Sequence, residues 1–173
     1  MPTTVPPGFL ADAAIKVWFV PTIADPAAPK VATELNAVGA LDITCYLTTQ
    51  AAPDASVATV TDDRMCLRQV LEDMGTVTFT IDELQYVYDV QNAESVSNKM
   101  YAALPQGTTG FVYVRWGVDV DTAIAAGDKV DIYPVTVGEQ VRKTPEGNTA
   151  EKLKIVQPVV VTGPVLRDQV LVA

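Results

Sequence analysis

The sequence contains no histidine. It therefore lacks the side chain best suited to proton transfer near neutral pH, the commonest metal ligand, and the usual partner of a serine or cysteine nucleophile. Cysteine is nearly as scarce: Cys45 and Cys66 have neither a second thiol two positions away nor a histidine to complete a zinc set. They read as two buried, apolar thiols; because both lie in strand-like runs, a cross-strand disulfide in an oxidising medium is the alternative. Basic residues are outnumbered, 12 Lys and Arg against 21 Asp and Glu, for a formal net charge of -9. A protein that grips nucleic-acid phosphates needs the opposite balance. No stretch holds 18 uninterrupted apolar residues, and residues 1–10 lack a basic start and a long apolar run. The expectation is a chain neither exported by a signal peptide nor spanning a membrane.

Motifs for chemistry are missing too. There is no glycine-rich phosphate loop and no G-x-S-x-G elbow. The acidic pairs Asp62-Asp63, Glu72-Asp73, Asp82-Glu83 and Asp119/Asp121 sit beside turns or strand ends, where acids serve solubility and capping. Asp119 and Asp121 invite comparison with a calcium loop. That loop needs an oxygen ligand, a glycine and a carboxylate at its fifth, sixth and twelfth positions, where this chain has Ala123, Ile124 and Val130. No catalytic residue, metal ligand or cofactor is expected.

What is present is strand. With 173 residues the chain buries about 70% of its unfolded surface without a disulfide or metal. Residues 1–14, with Pro2, Pro6, Pro7 and Gly8, read as an extended arm carrying Val5, Phe9 and Leu10. Residues 15–173 read as one β-sandwich domain. A first strand covers residues 15–20 and ends at Pro21. A second covers 41–48, with Leu41, Ile43, Cys45 and Leu47 on a dry face and Asp42, Thr44, Tyr46 and Thr48 on a wet one. Residues 49–63, including Gln50, Asp54, Thr61, Asp62 and Asp63, form a loop longer than a hairpin needs. In residues 64–73, Met65, Leu67 and Leu71 alternate with Arg64, Arg68 and Glu72, which predicts a third strand before a turn at Gly75.

The clearest strand follows, with Val77, Phe79 and Ile81 alternating against Thr76, Thr78 and Thr80. Beyond Asp82 the apolar parity changes to Leu84, Tyr86 and Tyr88, which predicts a bulge near Glu83. Val96, Met100 and Leu104 make one helical stripe over residues 95–104, ended by Pro105 and Gly107. Residues 111–116 are apolar on both faces except for Arg115, as in a strand covered on both sides. Later strands cover 130–137, continuing towards 141–142 with Pro134 at an edge or bulge, then 153–161 and 165–172 around the Gly163-Pro164 corner. The fold class is mainly β: an antiparallel β-sandwich with one flanking α-helix. Trp18 and Trp116 read as core or interface anchors.

The order of these motifs is itself distinctive. The runs VWFVPTIADPAAP, LDITCYLT, VTDDRMC, GTVTFTIDELQYVYD, NKMYAAL, GTTGFVYVRWGVD, AAGDKVDIYPVTVG and VVVTGPVLRD resemble the major tail tube protein of long-tailed phages of actinobacteria, over most of the chain from Val17 onward. The resemblance implies a structural virion protein whose copies form six-membered rings stacked into a hollow tube for genome delivery. It implies assembly in the host cytoplasm with tip, tape measure and terminator proteins, passage of DNA without specific binding, and no membrane partner. In that role residues 49–63 contact the adjacent ring, and Val5, Phe9, Leu10, Val165 and Leu166 cover subunit edges. The polar strand faces, Asp42, Thr44, Thr48, Arg68, Glu72, Thr76, Thr78 and Thr80, are the expected lumen lining, with Arg64 and Arg68 weakening an otherwise acidic wall. A tail terminator or capsid decoration protein is the nearest alternative. A small-ligand-binding sandwich with an aromatic pocket at Trp18 or Trp116 is the alternative of another class.

Overall fold

The computed structural model describes residues 13–49, 51–66, 69–92, 94–145 and 151–173. Val5, Phe9, Leu10, Gln50, Leu67 and Arg68 lie outside the described residues. The strands are β1 (Ile15–Val20), β2 (Leu41–Asp42), β3 (Asp54–Asp62), β4 (Leu71–Val87), β5 (Thr109–Trp116), β6 (Lys129–Val137), β7 (Val141–Lys143), β8 (Lys154–Val161) and β9 (Leu166–Val170). They join in one sheet, in the order β2-β1-β5-β6-β8-β4-β3, with β7 on β8 and β9 on β6. Every pairing is antiparallel.

The sheet curls because β6 changes partner. Along one edge its first half pairs with β9, through Lys129, Val130 and Ile132, and its second half pairs with β8, from Val135 to Val137. Pro134 stands at the change, where its missing N–H leaves no bond unmade, and its carbonyl accepts from Thr162 N at 2.9 Å. The expectation of an edge or bulge at Pro134 thus has a specific form.

β1, β5 and β6 are covered on both faces. Val17, Phe19, Val112, Val114, Val135 and Val137 meet Ile81, Leu84 and Tyr86 of β4 and Ile155 and Val159 of β8 in the larger core. Trp18, Val20, Tyr113, Val130 and Ile132 face the second core, closed by Leu171 and by Leu35 of a helical turn at Val31–Leu35. Gly110 in β5 is obligatory because Phe19 of β1 and the Val20 carbonyl lie where a Cβ would stand. Met100 and Leu104 bury one side of the short helix α1 (Lys99–Ala103), which a 3-10 turn at Val96–Asn98 precedes. Val96, assigned to the same stripe from sequence, is exposed, since that opening turn is too tight to hold the helical spacing. Gln157 and Gln140 close the helix end: both donate to the Leu104 carbonyl, at 2.9 and 3.0 Å, and Gln140 also reaches the Tyr101 carbonyl at 2.8 Å.

Two buried charges organise the loops. Arg115, fully buried, donates to the carbonyls of Asp119, Thr122 and Ala123 at 3.1, 2.8 and 3.3 Å and to the Asp128 carboxylate at 2.8 Å. The guanidinium is a tethered cation inside the loop compared above with a calcium site. Glu34 is buried as well, and its carboxylate accepts from the backbone N–H of Ala24 and Lys30, each at 3.0 Å, and from the Tyr113 hydroxyl at 3.1 Å.

Several sequence expectations are corrected. Only Leu41–Asp42 of the predicted second strand is strand, because Asp42 Oδ1 accepts from Thr44 N at 3.0 Å and folds residues 43–47 into a turn. Residues 54–62 of the predicted loop are β3, and in the predicted third strand residues 64–66, 69 and 70 are not strand, while 71–73 open β4. Gly75 is not a turn: β4 runs through it to Val87, and Gly75 lies at a bulge. Cys45 and Cys66 are free and exposed rather than buried, one in the turn after β2 and the other beyond β3. The bulge near Glu83 is present, three residues of β4 from Ile81 to Leu84 spanning two of β8.

Replacing Arg115 by Ala takes their buried donor from three carbonyls and leaves the Asp128 carboxylate with the Ala125 N–H at 3.2 Å. The expected loss is about 3 kcal/mol, the lower end for a broken buried pair because Asp128 keeps some water contact, or roughly 6–12 °C of Tm at this chain length. Asp128→Asn should cost clearly less in the same calorimetric scan. Burial first, and then Glu34 and Asp131 respectively, push the Tyr113 and Tyr133 hydroxyls well above the usual tyrosine range; burial does the same to Tyr86. Unfolded tyrosine ionises near 10, so above that pH the unfolded chain releases protons that the native one keeps, and stability falls. An ultraviolet titration should show these three tyrosines of the six ionising only as the fold is lost.

Candidate assembly surface

β4 is 17 residues long, but only from Ile81 onward is it built into the body of the sheet. Its first ten residues pair with β3 alone, in the register Asp54↔Thr80, Ser56↔Thr78 and Val57↔Val77, then Thr59↔Met74, Thr61↔Glu72 and Asp62↔Leu71. This is a two-stranded ribbon with β8 on neither side. Such a ribbon is marginal in water unless one face is covered. Gly75 fits at the bulge because the Ala58 carbonyl and Val60 side chain lie at 3.0 and 3.1 Å from where a Cβ would stand.

The bulge sorts the side chains. Directly paired residues share a face, so Ala55, Val57, Thr59, Met74, Val77 and Phe79 fall on one side, with Thr61 and Glu72 towards the far end. The other side carries Asp54, Ser56, Thr78 and Thr80, with Val60, Asp73, Asp62 and Leu71 beyond them. One side is an apolar stripe near the body and the other is polar there. On the stripe Val57 and Val77 are about half exposed and Met74 is 88% exposed. No residue of the described chain covers them.

At the root, Arg167 of β9 stacks its guanidinium over the Phe79 ring, 5.1 Å from the centroid. Beside it Asp131 fixes three groups: its carboxylate accepts from Trp116 Nε1 at 3.0 Å, from the Tyr133 hydroxyl at 3.1 Å and from Asp168 N at 2.9 Å. Asp168 is held at φ 54°, a left-handed conformation that an aspartate tolerates when so bonded.

The expected lumen residues do not form one face. Glu72 is on the apolar side of the ribbon, opposite Thr78 and Thr80, because the bulge near Gly75 reverses the parity on which the alternation relied. Thr76 lies within that irregular stretch. Asp42 and Thr44 belong to β2 and the turn after it, at the far end of the strand order from β3 and β4. Thr44 is spent on holding β1, accepting from Val17 N at 2.9 Å and donating to its carbonyl at 3.2 Å. Asp42 forms an ion pair with Lys16 at 3.5 Å, and Thr48 bonds the Gln85 carbonyl. Asp54, Thr61 and Asp62 are in β3, with Asp63 just past its end, so the expected loop is one arm of the ribbon. Val165 packs against the larger core and Leu166 opens β9, paired with Ile132. Sequence reasoning missed Val57, Met74, Arg167 and Asp131. A signal for β3 existed in the β-branched run Val57, Thr59, Val60 and Thr61.

A family model described as phage tail tube protein matches residues 1–173. The chain belongs to the phage tail tube protein family. It is a structural subunit of the tail tube and a component of the virion tail, and the family implies self-assembly together with other tail proteins. No curated protein matches the chain. Replacing Arg167 by Ala removes the stacking on Phe79 and should speed amide exchange at Thr78, Phe79 and Thr80 roughly two- to fivefold. Exchange at Val112 and Val114 in the centre of β5 should be unchanged.

Proposed function

We propose that copies of this subunit close into rings of six, and that the rings stack into the hollow tail tube of a long-tailed phage of actinobacteria. The phage genome passes through this tube into the host without specific binding. Residues 15–173 act as one domain and residues 1–14 as an arm, and assembly takes place in the host cytoplasm with tip, tape measure and terminator proteins. The observation that carries the reading is the β3–β4 ribbon, whose apolar stripe has no cover from the described chain. A marginal two-stranded element with an apolar face gains most by packing on an identical subunit, as closed symmetric oligomers require. The motif order from Val17 to the C-terminal strands supports the finer assignment to actinobacterial phages.

In this arrangement the apolar stripe lies against a neighbour, and the polar side, Asp54, Ser56, Thr78 and Thr80, faces the channel. Asp62, Asp63 and Thr61, further out on the ribbon, contact the adjacent ring. A formal charge of -9 per subunit favours passage of DNA without adhesion. Screening confines that repulsion to about 8 Å at physiological salt, so only the charges nearest the duplex act.

Electron microscopy with light-scattering mass on one sample tests this. The unaltered protein, concentrated or seeded with phage tail tips, should give six-membered rings or hollow tubes. The double variant Met74→Asp, Val77→Asp should keep its circular dichroism and melt within about 1 kcal/mol of the original, since both sites are exposed, and should stay monomeric. Tubes of ordinary dimensions from that variant would remove the ribbon from the interface.

A further inference from the structure

The long strand β4 has opposite charge at its two ends. Where it begins, at the outer end of the ribbon, Glu72 and Asp73 stand opposite Thr61 and Val60 of β3, and Asp62 and Asp63 follow on that second arm. Where it ends, Val87 pairs with Lys154 of β8, and Lys154 pairs in turn with Lys143 of β7. Arg142 and Lys152 lie beside them in sequence, so four of the 12 basic residues of an acidic chain gather on this one strand pair. The 17 residues of β4 hold the acidic and basic ends about 50 Å apart, at about 3.3 Å per residue.

The basic end is short of anions. Two lysines directly opposite each other in an antiparallel pair repel, and an acid brought between them removes that cost. Glu151 lies 3.7 Å from Lys154 Nζ and answers part of it, and Asp89 lines a cleft with Lys152 and Leu153. Lys143, Arg142 and Lys152 form no ion pair with a described residue; Arg142 instead stacks over the Tyr88 ring, 5.9 Å from its centroid.

The two ends also match in their apolar neighbours. Paired residues share a face, so Val141 and Val156 lie on the same face as Lys143 and Lys154, two cations beside two valines. On the ribbon the pairs Val60↔Asp73 and Asp62↔Leu71 set two acids beside two apolar side chains. Val141, Val60 and Leu71 are each about half exposed. Arg64 bonds Asp62 Oδ1 at 2.9 Å and leaves Oδ2 without a donor among the described residues.

We infer that the β7–β8 pair, through Lys143 and Lys154, receives the acidic outer end of the ribbon, at Asp62 and Asp73, of a second copy in the adjacent ring. The inference rests on the ring stacking proposed above and names the partner surface of the ribbon's outer end. A single chain does not satisfy its own charges in this way, because β4 itself holds the two ends apart. Joined head to tail, each copy uses one end and leaves the other open, a heterologous contact that propagates. Rings then add in one orientation, since tip on tip sets acid against acid and the reverse sets base against base.

Charge reversal at one end and then at both tests this by electron microscopy. Lys143→Glu, Lys154→Glu at the strand pair, or Asp62→Lys, Asp73→Lys at the ribbon, should give rings that do not stack. The chain carrying all four substitutions should form tubes again. Each Lys→Glu subtracts two charges and each Asp→Lys adds two, so the fourfold variant has the original net charge and recovery reports the contact itself. Circular dichroism checks folding; if a reversal fails to fold, the neutral Lys143→Gln, Lys154→Gln variant replaces it and should raise the concentration needed for stacking roughly tenfold. Salt gives a second readout on the unaltered protein. Going from about 0.1 M to about 1 M shortens the screening length from about 10 Å to about 3 Å and should raise that concentration roughly tenfold, whereas a purely apolar contact does not weaken. Tubes from a variant reversed at one end, no recovery in the folded fourfold variant, or indifference to salt overturns the contact and leaves the ring and tube reading standing. Normal tubes from the lysine variant together with lost binding of duplex DNA overturn it too, and make the strand pair a phosphate surface. Absence of rings and tubes from the unaltered protein removes the assembly reading and this contact together.

Discussion

The change of partner along β6 is the constraint on which the architecture depends. A strand that pairs with β9 over its first half and β8 over its second forces those two strands apart, and the sheet bends where they separate. Proline is the residue for that position, having no N–H to leave unpaired in the gap. Because the sheet bends there, β4 and β8 fold back over β1 and β5, and the larger core forms between them. The central strands are then covered on one side by the sheet itself and on the other by the Val31–Leu35 turn and Leu171.

Burial of this kind carries polar groups inward, and most are answered, although the Nε of Arg115 has no partner among the described residues. Arg115 draws three carbonyls and a carboxylate around itself, and Glu34 gathers two backbone N–H groups and a tyrosine hydroxyl. A buried ionic group contributes little net stability but penalises any loop arrangement that leaves it unpaired. The loop organised by Arg115 also holds the carbonyls of Ala13 and Ala14, so the burial of one guanidinium fixes where the arm leaves the fold.

The ribbon is the opposite case. Its bonds are made and its register is fixed by the bulge, yet its apolar stripe faces water. In a monomer that combination costs stability, while in the proposed ring it would become shared core. Under the proposed assembly, solubility and association are reconciled by keeping such surface on a narrow ribbon of an acidic chain.

What the sequence by itself determined is what depends on neighbouring residues. An apolar run ended by Pro21 gave β1, and alternation from Thr76 to Ile81 gave part of β4; a parity change after Asp82 announced the bulge; apolar residues on both faces of β5 announced double burial. The missing histidine and the absence of metal spacings narrowed the chemistry, and the order of motifs pointed to the family. What only the tertiary structure decided depends on partners distant in the chain. β3 is strand because β4 lies beside it, although its side chains are exposed on both faces and so carry no burial period. Residues 43–47 turn because Asp42 and Thr44 find backbone partners that alternation cannot foresee. Glu72 changes sides because one extra residue near Gly75 opposes β3, and a period of two records faces only while the pairing stays in step.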